Sequence, residues 1–268
     1  MVTTLWQSLR QEAERITHKE PLLASYIYAC ILNHKDYASA LSFLLANKLS
    51  DDVMPAIALR ELFDDAYRTD DSIIVAAAED LKAVFNRDPA IHTYSEVLLN
   101  LKGFQSIQTH RLAHYLWQQG RKELALFIQS LNSGAFGVDI HPACRLGKGV
   151  MFDHATGIVI GETAVIEDNV SIMQSVTLGG TGNECGDRHP KIRSGVLIGA
   201  SATVLGNIEI GEGSKIGAGS VVLSEVQAHT TVAGVPAKLV GRPACSCPSE
   251  SMEQNVFKDK AVPLEEVG

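Results

Sequence analysis

Across its 268 residues the chain lacks any apolar run approaching the ~18–20 residues of a membrane-spanning helix, which argues against a transmembrane segment. Basic residues are outnumbered, with 23 Lys and Arg against 31 Asp and Glu and a net charge of −8. No Lys/Arg-rich run reverses that balance locally, so a phosphate-backbone or nucleic-acid surface is not expected. Cysteine is sparse, an odd and scattered set of five: Cys30, Cys144, Cys185, Cys245 and Cys247. A chain of this length buries roughly three quarters of its unfolded surface and needs no disulfide staple, so reduced thiols are expected. The opening Met1-Val2-Thr3-Thr4-Leu5-Trp6 lacks the basic-then-apolar order of a secretory signal. Together these absences lead us to expect a cytoplasmic protein.

Glycine is missing from one half only. Of 22 glycines, Gly103 and Gly120 alone fall in the first 130 residues, whereas 19 lie between Gly134 and Gly241. Glycine is costly inside helices and useful at turns, so a helical first half and a turn-dense second half are expected. Leu5, Leu9, Ala13 and Ile16 follow helical spacing, and Pro21 suits the first turn of a helix running to Asn33. Further apolar stripes over Tyr37–Leu49, Met54–Tyr67, Ser72–Phe85, Phe104–Gln119 and Arg121–Leu131 predict a compact helical bundle.

From about residue 138 the period becomes six. Aliphatic or aromatic residues recur at Ile140, Leu146 and Phe152, at Ile160, Ile166, Ile172 and Leu178, and at Ile192, Ile198, Val204, Ile210, Ile216 and Val222. Neither a helix nor a half-buried strand has that period. Short strands turning a corner every six residues do, three to a triangular coil with the aliphatics stacked along its axis. Meandering hairpins are the alternative, and the unbroken phase from Ile192 to Val222 counts against them. The phase slips twice. Phe152 to Ile160 spans eight residues, and Leu178 to Ile192 spans fourteen, which reads as two more than two repeats. In a solenoid, insertions emerge as loops at corners, and loops on a rigid scaffold commonly carry function.

The polar candidates sit in or beside those slips. Asp139 and His154 are fifteen residues apart, slightly less than one coil, so they can meet on adjacent rungs. A carboxylate holding one imidazole nitrogen leaves the other as a base able to take a hydroxyl proton. An aspartate turn cap beside a surface histidine explains the same spacing. Asp187-Arg188-His189-Pro190-Lys191 places a bidentate cation suited to a carboxylate next to a second imidazole. A solvated loop is its bland alternative. His110 and His114 have the spacing of a zinc pair, but Arg111 stands where a zinc protease has Glu. Cys245-Ser246-Cys247 has no histidine nearby and is expected to be an exposed, flexible thiol pair.

The six-residue repeat resembles that of the left-handed parallel β-helix acyltransferases. Val138-Asp139-Ile140-His141-Pro142, Met151-Phe152-Asp153-His154-Ala155-Thr156-Gly157, Ser175-Val176-Thr177-Leu178-Gly179-Gly180-Thr181-Gly182 and Gly186-Asp187-Arg188-His189-Pro190-Lys191 together resemble the bacterial serine O-acetyltransferases. Leu45-Ala46-Asn47-Lys48-Leu49, Met54-Pro55-Ala56-Ile57-Ala58 and Arg87-Asp88-Pro89-Ala90 carry the likeness into the first half, so that it covers residues 1 to about 243. The resemblance implies an α+β chain: a helical oligomerisation and substrate-site domain over 1–137, a left-handed parallel β-helix over 138–243, and a flexible tail over 244–268.

It also implies a reaction, transfer of acetyl from acetyl-CoA to the L-serine hydroxyl, giving O-acetyl-L-serine and CoA as the first step of cysteine biosynthesis. His154 is then the general base and Asp139 its orienting carboxylate. Asp88 and Asp153 face the serine ammonium group, Arg188 its carboxylate, and His189 lies in the same pocket. Acetyl-CoA, a co-substrate rather than a resident cofactor, is placed against Ala200, Lys215, Gly217, Ala218, Gly219 and Lys238. L-cysteine is expected to inhibit by competing for the serine pocket. A trimer with sites between neighbours is implied, and a dimer of trimers joined through the helical domains. Enzymes of the family often end in an isoleucine that enters O-acetylserine sulfhydrylase, whereas this sequence ends Leu264-Glu265-Glu266-Val267-Gly268, which leaves that partner in doubt. Three other readings compete: a sugar or amine acetyltransferase, a zinc carbonic anhydrase using His141, His154, His189 and His229, and a silent scaffold. Asp88, Asp153 and Arg188 favour a zwitterionic acceptor over the first. Asp139 beside His154 favours base catalysis over the second, and the intact polar sets count against the third.

Overall fold

The computed structural model describes residues 2–182 and 185–260. Its first half is helical: α1 (Val2–Lys19), α2 (Ala24–Ile27), α3 (Tyr37–Leu49), α4 (Ala56–Thr69), α5 (Ser72–Arg87), α6 (Tyr94–Asn100), α7 (Lys102–Gln118) and α8 (Lys122–Phe136). The helix expected from Pro21 to Asn33 is broken. A 3₁₀ turn over Pro21–Leu23 leads into α2, and a π turn over Tyr28–Leu32 follows, closed by Asn33 N–H donating to the Tyr28 carbonyl at 3.0 Å. Helix α6 is an addition to the expected set. Its signal is present in the sequence, because Thr93 and Glu96 form a reciprocal capping box. Helix α8 ends where Gly137 adopts φ 67°, turning the chain into the first strand.

The second half is a parallel β-solenoid with three faces. One face stacks β1 (Val138–Ile140), β4 (Ile158–Ile160), β7 (Thr177–Gly179), β10 (Thr203–Leu205) and β13 (Val221–Val222). The second stacks β2 (Arg145–Leu146), β5 (Val165–Ile166), β8 (Lys191–Ile192) and β11 (Glu209–Ile210). The third stacks β3 (Met151–Asp153), β6 (Ser171–Met173), β9 (Leu197–Ile198), β12 (Lys215–Ile216) and β14 (Thr231–Gly234), with β15 (Ala237–Gly241) closing its end as an antiparallel strand. Every third strand is a lateral neighbour, so three strands make one coil. The six-spaced residues Ile160, Ile166, Ile172, Leu178, Ile192, Ile198, Val204 and Ile210 are all buried on the axis. Truncating one of them to Ala is expected to cost about 2–5 kcal/mol.

The register fixes the size of each insertion. Leu178 pairs with Val222's neighbour Val204 below it on the same face, and Val204 with Val222, eighteen residues on, is the undistorted coil. Ile140 pairs with Ile160, twenty residues on, so the first slip adds two residues. Leu178 pairs with Val204, twenty-six on, so the second adds eight. Leu178 and Ile192 therefore lie on consecutive strands of one coil. The second slip is one repeat plus an eight-residue loop, and not two repeats plus two residues. Spacing alone misled here because fourteen divides either way.

The two halves share a buried polar seam. Asp80 on α5 is fully buried, and its carboxylate accepts from Gln108 Nε2 (2.9 Å), Arg111 Nε and Nη2 (3.0 and 2.7 Å) and the Val150 N–H (3.0 Å). Arg111 also donates to the Gly147 carbonyl at 2.6 Å. The first coil is thus bonded to the bundle through a satisfied internal charge.

The tail differs from expectation. Residues 245–260 lie against the third face, with a short helix α9 (Pro248–Ser251) and a 3₁₀ turn over Val256–Lys258. Ser171 Oγ donates to the Ser249 carbonyl (2.9 Å), and Lys215 Nζ meets Asp259 Oδ1 at 2.6 Å with both side chains 2% exposed. A buried ammonium needs an anion, and the tail supplies it. Cys245 remains exposed, but Cys247 is half-buried at the start of α9.

Candidate active site

The first insertion forms a tight corner after β3. His154 and Ala155 both lie in the left-handed region, at φ 55° and 62°, a conformation that costs energy for residues with a Cβ and is held here by surrounding structure. The Ala155 N–H donates to the Asp153 carbonyl (2.6 Å) and the Thr156 N–H to the His154 carbonyl (2.8 Å). The turn throws His154 outward, 74% exposed, with Nε2 3.9 Å from Asp153 Oδ1. Burial pushes the Asp153 carboxyl above its ordinary range; His154 opposes this and the like charge of Asp88 adds to it. Asp88 caps the end of α5, where Oδ1 accepts the Ala90 N–H at 2.9 Å. One corner therefore gathers Asp88, Asp153 and His154.

Gly103 explains how that corner is reached from the bundle. A Cβ at this position would stand 2.0 Å from the Phe152 carbonyl oxygen, so the first turn of α7 rests directly on the β3 backbone. The side chain of Lys102 hydrogen-bonds Thr156 on the far side of the turn.

The second insertion carries Arg188 and His189 to the corner between the first and second faces. Thr163 organises both. Its Oγ1 accepts from the Arg188 and His189 backbone N–H groups at 3.0 and 3.1 Å. Its own N–H and hydroxyl point at His189 Nδ1, at 3.2 and 2.8 Å. Nδ1 is thus the acceptor, which leaves the ring proton on Nε2. His189 is buried, and burial first, then Arg188, lowers its pKa, so the ring is neutral. Gly161 makes room for it, since a Cβ there would lie 2.0 Å from His189 Nε2. Arg188 Nη2 donates to Glu162 Oε2 at 2.7 Å, and that bond holds the Glu162 carboxyl below its ordinary range. Lys191 bonds Asp187 (2.6 Å) at the foot of the loop.

The expected sets are brought together unequally. Asp88, Asp153 and His154 share one corner; Arg188 and His189 share another. Asp139 sits on the first face, where Oδ1 accepts from Gln129 Nε2 at 2.6 Å. Among the described residues no hydrogen bond joins it to His154. Of the residues expected to meet CoA, Ala218, Gly219 and Lys238 are exposed and Ala200 is half-buried. Lys215 is a correction: its ammonium is buried against Asp259 and the Glu253 carbonyl, out of reach of a phosphate. Gly217 is likewise buried, and a Cβ there would meet Ala233 and Val256. Among the described residues no group of three His, Cys, Asp or Glu side chains is placed to hold a metal ion. His141 packs edge-on against Trp117, and His114 Nδ1 bonds the Pro142 carbonyl at 2.7 Å.

A parallel β-solenoid of six-residue strand-and-turn units with an exposed imidazole at an irregular corner is the arrangement expected of a hexapeptide-repeat acyltransferase. Two family profiles match the chain: "Serine acetyltransferase, N-terminal" over residues 5–109, and "Bacterial transferase hexapeptide (six repeats)" over residues 189–224. The serine acetyltransferase of Salmonella typhimurium is 57% identical over 251 residues, 94% of this chain and 92% of that one. Three similar solved structures are serine acetyltransferases with a ligand. One is in complex with cysteine (56% identity, TM-score 0.93, 95% of this chain and 99% of that one). Another is in complex with CoA (57%, 0.87, 90% and 100%), and the soybean protein is in complex with serine (56%, 0.86, 88% and 97%). The chain belongs to the serine acetyltransferase family and is an acyltransferase.

Proposed function

We propose that this chain transfers the acetyl group of acetyl-CoA to the hydroxyl of L-serine, releasing O-acetyl-L-serine and CoA, and that L-cysteine inhibits it by occupying the serine pocket. The observation that carries this reading is the corner after β3. An outward imidazole stands beside two carboxylates, a base flanked by groups suited to an ammonium ion. His154 takes the hydroxyl proton as the serine oxygen attacks the thioester carbonyl, and the proton then passes to the departing thiolate. Asp88 and Asp153 hold the ammonium group. Arg188 meets the carboxylate as a planar fork, and neutral His189 offers its Nε2 proton in the same pocket. Asp139 orients His154 through Oδ2, since Gln129 occupies Oδ1.

The two clusters lie on different edges of the triangular prism, which supports a trimer in which one copy's His154 edge meets its neighbour's Arg188 edge. The dimer of trimers joined through helical domains completes the proposed assembly, in a cytoplasmic setting. Among the described residues no helix is long and apolar enough to cross a membrane. Acetyl-CoA is a co-substrate placed along the coils near Ala200, Ala218, Gly219 and Lys238. The terminal segment through which a sulfhydrylase would dock lies outside the described residues.

The test is thiol release from acetyl-CoA with L-serine, with and without L-cysteine. Serine-dependent release suppressed by cysteine is expected. Release with a galactoside or a simple amine and none with L-serine would overturn the reading.

A further inference from the structure

Arg87 ends α5, immediately before Asp88, and is 7% exposed between the bundle and the solenoid. Its direct acceptors are neutral: Nη1 donates to Ser171 Oγ at 3.1 Å and Nη2 to Asn169 Oδ1 at 3.3 Å. Ser171's own proton is spent on the Ser249 carbonyl, so a lone pair of its hydroxyl faces the guanidinium. Burial lowers the Arg87 pKa, with Glu250, Cys247 and Asp80 opposing through space. A buried cation held by neutral groups is a poor way to glue two domains, because apolar packing does that at lower cost. What a guanidinium adds is direction: two donors in a fixed plane aimed at two fixed acceptors.

Those acceptors belong to the rung beside the active corner. Ser171 pairs with Met151, two residues before Asp153, and Asn169 stands at the turn leading into β6 with φ 59°. The chain after Arg87 has little slack. The Asp88 N–H donates to the Val84 carbonyl (3.0 Å), the Ile91 N–H to the Asp88 carbonyl (3.1 Å), and Pro89 stiffens the turn between them. Fixing the Arg87 head against β6 therefore fixes where Asp88 stands relative to Asp153. We propose that Arg87 is a positioning residue for serine capture: it locks the end of α5 to the β6 rung so that Asp88 and Asp153 face one substrate ammonium group. This rests on the assignment of Asp88 and Asp153 made above.

Steady-state kinetics on the full-length protein test it, varying L-serine and acetyl-CoA separately. Arg87→Met is expected to raise the serine KM about tenfold while the acetyl-CoA KM stays within about twofold. Arg87→Lys recovers part of the loss, because an ammonium can still reach one acceptor. Asn169→Gly removes one acceptor and suits the positive φ, giving a smaller rise of about twofold to threefold. Arg87→Met combined with Asp88→Asn has a serine KM no higher than Asp88→Asn alone, since a positioning residue has nothing left to position. Equal changes in both KM values, or none, in Arg87→Met overturn the role. If that variant does not assemble, an unchanged serine KM in both Arg87→Lys and Asn169→Gly overturns it. A raised serine KM in Asp88→Asn with a normal one in Arg87→Met removes Arg87 alone. An unchanged one in Asp88→Asn removes the ammonium site, and this role with it.

Discussion

The two irregular corners of the solenoid use the same residue types to opposite ends. After β3, an imidazole is 74% exposed and its neighbouring carboxyl, Asp153, is pushed up by burial. At the Arg188 loop, the imidazole is 7% exposed and the neighbouring carboxyl, Glu162, is pulled down by a guanidinium. Two extra residues suffice for the first because the bundle supports it from behind through Gly103. Eight are present in the second, which lays Arg188 and His189 onto Glu162 and Thr163 in the β4–β5 turn of the coil before it. The short insertion, backed by the bundle, leaves its imidazole in solvent, whereas the long one folds its imidazole down onto the neighbouring coil.

The largest break of this contrast is His154→Ala, expected to lower kcat by about 10²–10⁴-fold with assembly intact, as for loss of a general base. Turnover close to normal, measured by thiol release, would remove the catalytic role of the first corner. Next is Gly161→Ala. The new methyl group must displace the His189 ring from Thr163, and a rise of about tenfold in serine KM is expected with a much smaller change in kcat. An unchanged KM would separate His189 from the substrate.

Gly103→Ala acts on the support of the first corner. It is expected to destabilise the protein by about 1–3 kcal/mol through overpacking against Phe152. Thermal unfolding together with kcat reads whether the corner moves with the helix; a stable variant with normal kcat would show that α7 does not brace it.

The smallest expected effect is on the pH profile. The folded pKa of Asp153 is raised, so the protein keeps this proton to higher pH than the unfolded chain does. The associated stability is fully present below the ordinary carboxylate range and is lost as pH rises through the raised value. The proposed ammonium capture uses the ionised form, so on that reading serine binding strengthens across that same window. Asp88→Asn removes a like charge facing Asp153, and the acid limb is expected to move to lower pH. A limb that stays put in a pH–rate profile would show that the two carboxylates do not feel each other.

Several of these features were legible as pattern and others were not. The six-residue rhythm named the axial residues individually, Leu146 alone being half-buried, because each short strand turns one apolar side chain inward. Asp153, His154, Arg188 and His189 fell in or beside the insertions, whereas Asp139 stands on the regular strand β1 and Asp88 at the end of α5. The length of the second insertion was misread because spacing carries no information about which face a residue joins. Helix α6 had a readable cap in Thr93 and Glu96 but too few turns to show a stripe. Nothing local marks Asp80, Arg87 or Arg111 as charges whose partners include groups on the other domain. The tail, rich in Ser and Pro, reads as loose, yet Asp259 is drawn in by the buried ammonium of Lys215.

Sequence by itself determined the architecture and its two faults, since periodic burial and the cost of breaking it are local, repeated demands on the chain. Only the tertiary structure decided which charges are internal, which imidazole faces solvent, and that Asp139 meets Gln129 while Lys215 meets the tail. Those outcomes depend on desolvation and on partners distant in sequence, quantities that exist only once the surfaces have closed.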